Sequence, residues 1–340
     1  MTTIEVNTPS GTYPVHVGRG LLEKVGELFS LDRRVFILTD TGVPARYAEA
    51  IRAACRESTV YTVPMGEGSK SLTVMEEALV AMLHFDLTRT DCVVAVGGGV
   101  VGDLGGFLAA TYMRGIDFYN VPTTMLSQVD SSIGGKTAVN LGTVKNIVGA
   151  FHQPRGVLVD LDTLKTLPAR HVSAGLCEAI KMAASFDEEL FCRFEELSRE
   201  DAVCEETVTR ALDIKRRIVE ADEREAGLRR VLNLGHTLGH GIEAAEGLGG
   251  LYHGECVALG MLAVCSDEVK ARLLPVFEKF GLPTEYKGSL DTALSYIRHD
   301  KKCEGDQWVC VVLCERIGTW RIERMTLADF ERNAKDRICV

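Results

Sequence analysis

Four polar residues at helical spacing give the strongest chemical signal in this sequence. Arg229, Asn233, His236 and His240 follow one another at intervals of four, three and four residues. A helix over 229–246 would therefore place them on one face, where apolar residues would normally mark the core. His236 and His240 could then both reach one metal ion. A lone histidine is more often a satisfied core residue, but this group favours a metal or anion site.

A carboxylate and another histidine could complete such a site. Glu178 and Lys181 lie three residues apart in an apolar helical segment, and His253 follows a glycine-rich loop and opens an apolar helix. A buried carboxylate needs a cation, which could be Lys181 itself or a metal ion. Two histidines and one carboxylate form a ligand set of catalytic zinc sites that keep a position open for substrate.

A glycine-rich turn marks a candidate phosphate site in the first half of the chain. The apolar segment 92–96 runs into GGGVVGD at 97–103, which matches G-x-G-x-x-G and precedes a helical segment. Glycines let the backbone approach a pyrophosphate, and the N-terminus of the next helix offers free N–H groups. The turn follows an inner strand rather than the first one, so a glycine turn without a ligand is the alternative.

The segment 122–154 shows few helix or strand signals, and we expect it to be an irregular, functional loop. The alternative is a surface loop with solvated lysines, which would explain one lysine well but the whole group poorly. Side chains in this segment that could contact a ligand are Thr123, Thr124, Asp130, Lys136, Lys145 and Asn146.

The hydrophobic pattern predicts two domains that must position these residues. Apolar strands at 33–40, 58–64, 91–96, 117–122 and 156–160 alternate with helical segments, which predicts an α/β Rossmann-like domain with a parallel-rich sheet over 1–165. From 166 to 340 a period of 3.6 residues dominates, which predicts a mostly α-helical domain. Its predicted helices span 173–198, 203–221, 229–246, 254–280 and 289–299, with one β-hairpin at 306–323 that turns at 317–319.

Composition limits the partners that we expect. The chain has a net charge of −10, which repels nucleic acid and anionic lipid, so bound phosphate needs a local basic pocket. No run of about 18 apolar residues or signal-like N-terminus is present, so we expect neither a membrane partner nor secretion. The 11 cysteines form no Cys-x-x-Cys pair, which indicates a cytoplasmic protein with reduced thiols.

Long motifs throughout the chain resemble the 3-dehydroquinate synthases of the shikimate pathway. The resemblance implies a two-domain enzyme with NAD and one divalent metal ion, zinc or alternatively cobalt, in the interdomain cleft of a homodimer. The first domain would bind NAD and the second the metal ion and substrate. The matching segments are 97–115, 122–140, KNIVGAFHQP (145–154), GLCEAIK (175–181), LNLGHTLGHGIE (232–243), HGECVALGM (253–261) and HDKK (299–302).

The same resemblance implies a role for individual residues. The metal ligands would be Glu178, His236 and His253, with His240 facing the substrate instead of the metal ion. The implied NAD-binding residues are Asp40, Glu67, Lys70, Gly98, Gly99, Val100, Asp103, Thr123, Thr124, Lys136, Lys145, Thr163, Leu164, Lys165 and Thr166. The implied substrate contacts are Arg114, Asp130, Lys136, Lys145, Asn146, Lys181, Lys215, Arg229, Asn233, His240 and Lys301, with Lys302 as the alternative to Lys301. The implied catalytic residues are Glu225 and His240, which match positions linked to proton transfer, with Lys136, Arg229 and Asn233.

The implied substrate is 3-deoxy-D-arabino-heptulosonate 7-phosphate, whose carboxylate and phosphate suit a cluster of Arg and Lys side chains in an acidic protein. The implied reaction oxidises the C5 hydroxyl, eliminates phosphate, reduces the new ketone again and closes a ring by intramolecular aldol addition. The product is 3-dehydroquinate, and NAD is regenerated in each turnover. Alternatives are another sugar-phosphate cyclase, a metal-dependent polyol dehydrogenase of the same fold and, least expected, a non-catalytic binding protein.

Overall fold

The chain folds into two units, described here from a computed structural model of residues 1–142, 144–247, 249–298 and 308–338. The first unit comprises Met1–Pro168 and Lys215–Arg224, and the second comprises Ala169–Ile214 and the described residues from Glu225 onward. The sequence-based boundary at 165/166 lies three residues before the first of these divisions. Residues 215–224, which the sequence analysis placed in the second domain, group with the first unit.

A seven-stranded sheet forms the centre of the first unit. Its order is β1-β2-β9-β6-β5-β3-β4, in which β1 pairs antiparallel with β2 and all other neighbours are parallel. This confirms the predicted parallel-rich sheet. The strands of this unit are β1 (Thr2–Thr8), β2 (Gly11–Gly18), β3 (Arg34–Asp40), β4 (Glu57–Val63), β5 (Cys92–Gly97), β6 (Asp117–Pro122), β7 (Lys136–Leu141), β8 (Val144–Phe151) and β9 (Gly156–Asp160).

Apolar side chains fill both faces of this sheet. Along β3, Val35 and Ile37 join one buried cluster while Phe36 and Leu38 join the other, because successive side chains of a strand point to opposite faces. Helices cover the two faces, as expected for parallel strands that are buried on both sides. The helices of this unit are α1 (Val25–Leu28), α2 (Ala45–Ala53), α3 (Leu72–His84) and α4 (Gly99–Thr111), with 3-10 helices at Leu21–Lys24, Glu67–Ser69, Tyr112–Arg114 and Leu161–Thr166.

The segment 122–154 is more regular than the sequence predicts. It forms a turn of π-helix at Ser127–Ser131 and then the antiparallel hairpin β7–β8. Most residues of β8 are exposed or half-buried, so the apolar alternation by which a strand is predicted is weak. The expectation of a wholly irregular loop was therefore wrong.

The second unit is mostly helical, as predicted. Helix α9 packs against α5 and α8, and α8 also packs against α11. Among the described residues, no helix is both long enough and apolar enough to cross a bilayer. The remaining elements are α5 (Ala169–Phe186), α6 (Glu188–Glu196), α7 (Glu205–Ala221), a 3-10 helix (Leu228–Asn233), α8 (His236–Glu246), α9 (His253–Val264), α10 (Asp267–Phe280), α11 (Leu290–Arg298), β10 (Trp308–Leu313), β11 (Arg321–Thr326) and α12 (Leu327–Ile338), where α7 ends in residues of the first unit.

Three predicted long helices are each divided in two. The predicted helix 173–198 is divided where the side chain of Asp187 caps α6, and 254–280 is divided where that of Ser266 caps α10. Both side chains accept a hydrogen bond from a free N–H of the new helix, which fixes its start. The predicted helix 229–246 is divided at Gly235, whose φ of 78° is left-handed. The 3.6-residue period continues across all three breaks, so periodicity alone did not predict them.

Candidate active site

The predicted cofactor residues of the first unit follow the carboxyl ends of parallel strands. Asp40 ends β3, Glu67 and Lys70 follow β4, and Gly98 follows β5. Thr123 and Thr124 follow β6, and the group from Thr163 to Thr166 follows β9, whereas Lys136 and Lys145 lie in the hairpin β7–β8. Carboxyl ends of parallel strands meet at one edge of a sheet, where open α/β sheets bind their ligands. From β3 the chain passes outward to β4 on one side, and from β5 it passes outward to β6 on the other side. The strand order therefore reverses between β3 and β5, which is the position where such sheets usually bind a ligand.

Helix α4 presents its N-terminus at this edge. Gly98 is its N-cap, and a Cβ atom there would lie 2.9 Å from Thr124 Cγ2, so a larger residue would force the two loops apart. The N–H of Thr123 donates to the carbonyl of Gly97 at 2.9 Å and thereby joins the loops after β5 and β6. The free N–H groups and the positive dipole end of a 13-residue helix suit a phosphate group.

Three charged side chains of the predicted cofactor set have hydrogen-bond or ion-pair partners in the first unit. Buried Lys70 forms an ion pair with Asp103, the fifth residue of α4, and Asn140 Nδ2 donates to Glu67 Oε1 at 2.8 Å. Burial raises the pKa of Asp103 above its usual value, although the charge of Lys70 opposes that change. The first pair holds Lys70 against α4, and the second holds Glu67 against β7.

The other predicted cofactor residues differ in their burial and in their hydrogen-bond partners. Asp40 accepts a hydrogen bond from Gly42 N at 2.7 Å, and burial raises the pKa of this carboxyl. The Thr163 hydroxyl accepts a hydrogen bond from Gln128 Nε2 at 3.0 Å and, together with buried Leu164, lies within the unit. Lys165 is exposed and pairs with Asp162 at 2.9 Å. Thr163, Leu164 and Lys165 therefore have structural contacts of their own.

Lys215 and Asp130, two predicted substrate residues, contact each other in the first unit. Lys215 Nζ lies 2.7 Å from Asp130 Oδ1 and donates to the carbonyl of Asp130 at 2.6 Å. Lys215 is only 6% exposed, so this lysine is a buried cation rather than part of a solvated surface. Lys136, at the start of β7, is exposed and lines a small pocket with Ser132 and His152. Arg114, Lys145 and Asn146 are also exposed.

In the second unit, Glu178 is a buried carboxylate that faces one lysine and two histidines. It is 0% exposed, and neither side-chain oxygen accepts a hydrogen bond from a donor in the described part of the chain. Lys181, one turn later on α5, forms an ion pair with Oε2. Glu178 Oε1 faces two histidines instead, at 3.8 Å from His236 Nε2 and 3.6 Å from His253 Nε2.

Hydrogen bonds set the orientation of both imidazole rings. His236 Nδ1 lies 3.2 Å from the carbonyl of Leu234, and His253 Nδ1 lies 3.1 Å from Glu243 Oε2. With Nδ1–H donating in both cases, the Nε2 atom is the potential ligand and faces Glu178. Burial lowers the pKa of His253, but the Glu243 hydrogen bond and the charge of Glu178 outweigh it and leave that pKa raised. A metal ion at this Nε2 therefore competes with a proton.

These atoms fit a divalent metal ion. Ligand atoms at about 2.0–2.2 Å from a tetrahedral zinc ion lie about 3.4 Å apart, close to the two distances from Glu178. His240 belongs to the same cluster, since ligand atoms of His236, His240 and His253 all lie within 4.8 Å of one another. The distances alone do not decide whether His236 shares a metal ion with His253 or with His240. The role of Glu243 in orienting His253 was not predicted from the sequence, because it depends on how α8 and α9 pack.

The predicted face shared by Arg229 and the histidines is corrected by the structure. Arg229 and Asn233 lie in the 3-10 helix Leu228–Asn233, which Gly235 separates from α8, so helical spacing does not connect them to His236. Arg229 is nevertheless buried, at 2% exposed. Asn233 Nδ2 donates to Glu225 Oε1 at 3.1 Å, which places the predicted proton-transfer carboxylate beside a predicted substrate residue. Lys301 and Lys302 lie outside the described residues.

Comparison with known proteins agrees with this architecture. Family models described as 3-dehydroquinate synthase N-terminal and C-terminal match residues 60–174 and 175–303. A 3-dehydroquinate synthase from Enterococcus faecalis is 44% identical over 94% of this chain and 94% of its own length.

Two solved structures are also similar to this chain. A 2-deoxy-scyllo-inosose synthase, complexed with carbaglucose-6-phosphate, NAD+ and Co2+, superimposes with a TM-score of 0.90 at 25% identity and covers 99% of this chain and 100% of its own. A 2-epi-5-epi-valiolone synthase from Streptomyces hygroscopicus, with NAD+ and Zn2+ bound, gives a TM-score of 0.85 at 28% identity and covers 94% of this chain and 95% of its own. The extent and identity of these matches show that the chain belongs to the 3-dehydroquinate synthase family.

Proposed function

We propose that this chain is an NAD- and divalent-metal-dependent lyase that converts 3-deoxy-D-arabino-heptulosonate 7-phosphate to 3-dehydroquinate and phosphate. The observation that carries the proposal is the buried Glu178 carboxylate, which faces the Nε2 atoms of His236 and His253. It occurs in a chain that is 44% identical to proteins named for this reaction. Lys181 pairs with one oxygen of this carboxylate, and a metal ion would join the other oxygen to the two oriented imidazoles.

Two bound groups are part of this proposal. Glu178, His236 and His253 would hold a zinc ion, or a cobalt ion as in the inosose synthase. The edge of the sheet from Asp40 to Thr166 would hold NAD, with the phosphates at the N-terminus of α4. When bound, the metal ion lowers the pKa of a coordinated hydroxyl, and NAD takes up a hydride and returns it in the same turnover.

Cationic side chains of the chain would bind the two anionic groups of the substrate. The overall charge is −10, so attraction for a doubly anionic substrate must come from local cations. Lys215 and Arg229 are both buried, and a buried cation makes stronger contacts with carboxylate or phosphate than a solvated one does. Lys136, Lys145 and Arg114 are exposed cations from the same predicted set.

Proton transfer is assigned to Glu225 and His240. The Asn233 amide donates to Glu225 Oε1, which orients the carboxylate that would accept a proton from carbon. Elimination of phosphate requires removal of a proton next to the new ketone, and ring closure requires proton transfer at oxygen. Lys181 lies beside Glu178 and would stabilise negative charge on a substrate oxygen near the metal ligands.

The proposal is tested by incubating the purified protein with the named substrate, NAD and zinc. We expect one phosphate per substrate, 3-dehydroquinate as the product by mass spectrometry and NMR, and activity with NAD far below the substrate concentration. Phosphate release with another carbocycle would support a different cyclase. Accumulation of one NADH per substrate without phosphate release would support a polyol dehydrogenase instead.

Assembly and location are proposed on the same family membership. We expect a homodimer, which light scattering of the purified protein would measure directly. A cytoplasmic location is expected as well, because the pathway's anionic intermediates do not cross membranes unaided, and fractionation of the producing cells would test it.

A further inference from the structure

An ion pair joins the first turns of two helices that carry predicted metal ligands. Arg170 is the second residue of α5, and Glu255 is the third residue of α9. Arg170 Nε donates to Glu255 Oε1 and Nη2 donates to Oε2, both at 2.7 Å. The side chain of Glu255 is only 7% exposed. Two parallel charge-assisted hydrogen bonds to a buried carboxylate make this one of the stronger types of side-chain contact.

The same two side chains also fix the turn that leads to His253. Glu255 Oε2 accepts a hydrogen bond from Tyr252 N at 2.7 Å, which closes the N-terminus of α9 directly before the histidine. The guanidinium of Arg170 lies 4.1 Å from the centre of the Tyr252 ring and donates to the carbonyl of Gly250 at 3.0 Å. Both ends of the turn are therefore tied to the start of α5.

Helices α5 and α9 pack closely, so the position of their first turns also sets the positions of the predicted ligands Glu178 and His253. A Cβ atom at Gly254 would lie only 1.9 Å from the carbonyl oxygen of Ala174, so the first turn of α9 lies against the backbone of α5. Ala174 precedes Glu178 by one helical turn, and Gly254 follows His253 directly. A shift of either helix end would therefore change the 3.6 Å between Glu178 Oε1 and His253 Nε2.

We propose that Arg170 and Glu255 are positioning residues that set the distance between the metal ligands Glu178 and His253. The inference rests on the metal site of the proposed function and adds to it the residues that hold its geometry. Metal sites depend on ligand positions within about 0.5 Å, and residues that orient ligands typically change metal affinity by about 10–100-fold when removed. A merely structural ion pair would change stability without a specific effect on metal binding.

The chain contains a matched control pair in the same unit. Arg272 Nε and Nη2 donate to Glu195 Oε1 and Oε2 at 2.7 and 2.8 Å, and the Arg272 guanidinium lies 5.1 Å from the Phe191 ring centre. This pair joins α10 to α6, and neither helix carries a predicted metal ligand. It has the same chemistry as Arg170 and Glu255, so it reports what loss of such a pair does to stability alone.

The experiment measures the zinc dissociation constant of the full chain by competition with a chromogenic chelator. It compares the parent with Arg170→Ala, Arg170→Lys and Arg272→Ala, and urea unfolding of the metal-free proteins is the stability control. We expect Arg170→Ala to weaken zinc binding about 10–100-fold and Arg170→Lys to weaken it less, because lysine keeps the charge but makes one hydrogen bond. Arg272→Ala should stay within about twofold of the parent while losing comparable stability.

Zinc affinity of Arg170→Ala within twofold of the parent would overturn the proposal, and so would equal losses of affinity in Arg170→Ala and Arg272→Ala. If Arg170→Ala does not fold, Arg170→Lys decides on the same criteria. Failure of the proposed function gives a different result, namely a parent that binds zinc but does not convert the substrate. A parent whose zinc affinity is unchanged by Glu178→Gln would contradict the metal site itself.

Discussion

At the scale of single residues, the site depends on carboxylates whose partners are imidazoles. Glu178 faces His236 and His253, while Glu243 holds the far side of the His253 ring. Family motifs in the sequence selected Glu178 and the two histidines as predicted ligands, and the structure brings their side chains together. The hydrogen bond from His253 to Glu243 was not predictable in the same way, because it depends on how α8 and α9 pack rather than on spacing within one helix.

We expect Glu243→Gln to weaken zinc binding about 10–100-fold, because the amide keeps the shape of the side chain but loses the charge that makes Nε2 a better ligand. The matched control is Glu246→Gln on the same helix, where the carboxylate accepts a hydrogen bond from Tyr286 instead. Competition with a chelator measures the zinc affinity of both variants, and kcat/KM at saturating zinc measures the activity that each variant retains. Equal affinities for Glu243→Gln and the parent would show that His253 is oriented without this carboxylate.

At the scale of elements, sequence patterns predicted what is periodic and missed what interrupts the period. Parallel strands such as β3 and β5 were predictable because they are short, continuous apolar runs that are buried on both faces. Strand β8 of the hairpin β7–β8 has no fully buried residue, and so carries little apolar alternation. The break at Gly235 leaves the pattern of polar residues intact, which is why one continuous helix was predicted. A left-handed glycine is visible only in the backbone.

His152, directly after β8, should make stability depend on pH. Its Nε2 lies 2.9 Å from the Ile116 carbonyl, and burial lowers its pKa although that hydrogen bond opposes the change. The unfolded chain therefore binds a proton at higher pH than the folded chain does. The contribution of neutral His152 is complete above about pH 6.5 and is lost as the pH falls toward the lower pKa of the folded state.

We expect His152→Gln, which keeps a hydrogen-bond donor but does not titrate, to reduce the loss of unfolding free energy between about pH 7.5 and pH 5.5. Urea unfolding at several pH values measures this, with the metal-free protein used throughout so that zinc binding does not contribute. His84→Gln, at the exposed end of α3, is the control. Parallel stability curves for the parent and His152→Gln would contradict the expectation.

At the scale of the whole molecule, an acidic chain has several of its cations at the predicted substrate positions, such as Arg229 in the second unit and Lys136 in the first. We expect Arg229→Ala and Lys136→Ala each to lower kcat/KM about 10–150-fold, which corresponds to roughly 1.5–3 kcal/mol for a charge-assisted contact. The fold and zinc content should be unchanged. Lys24→Ala, an exposed lysine in the first unit, should stay within about twofold of the parent. Kinetics of Arg229→Ala and Lys136→Ala equal to those of Lys24→Ala would remove both residues from the substrate site.

The central claim is that the substrate is oxidised only transiently, at a carbon that regains its own hydrogen. The most direct test is turnover of substrate carrying deuterium at C5, with the product analysed by NMR and mass spectrometry and NADH followed by absorbance. The account predicts that deuterium is retained at the product carbon derived from C5, that one phosphate is released per product and that no NADH accumulates. Loss of this deuterium to solvent, or one NADH formed per substrate, would contradict it.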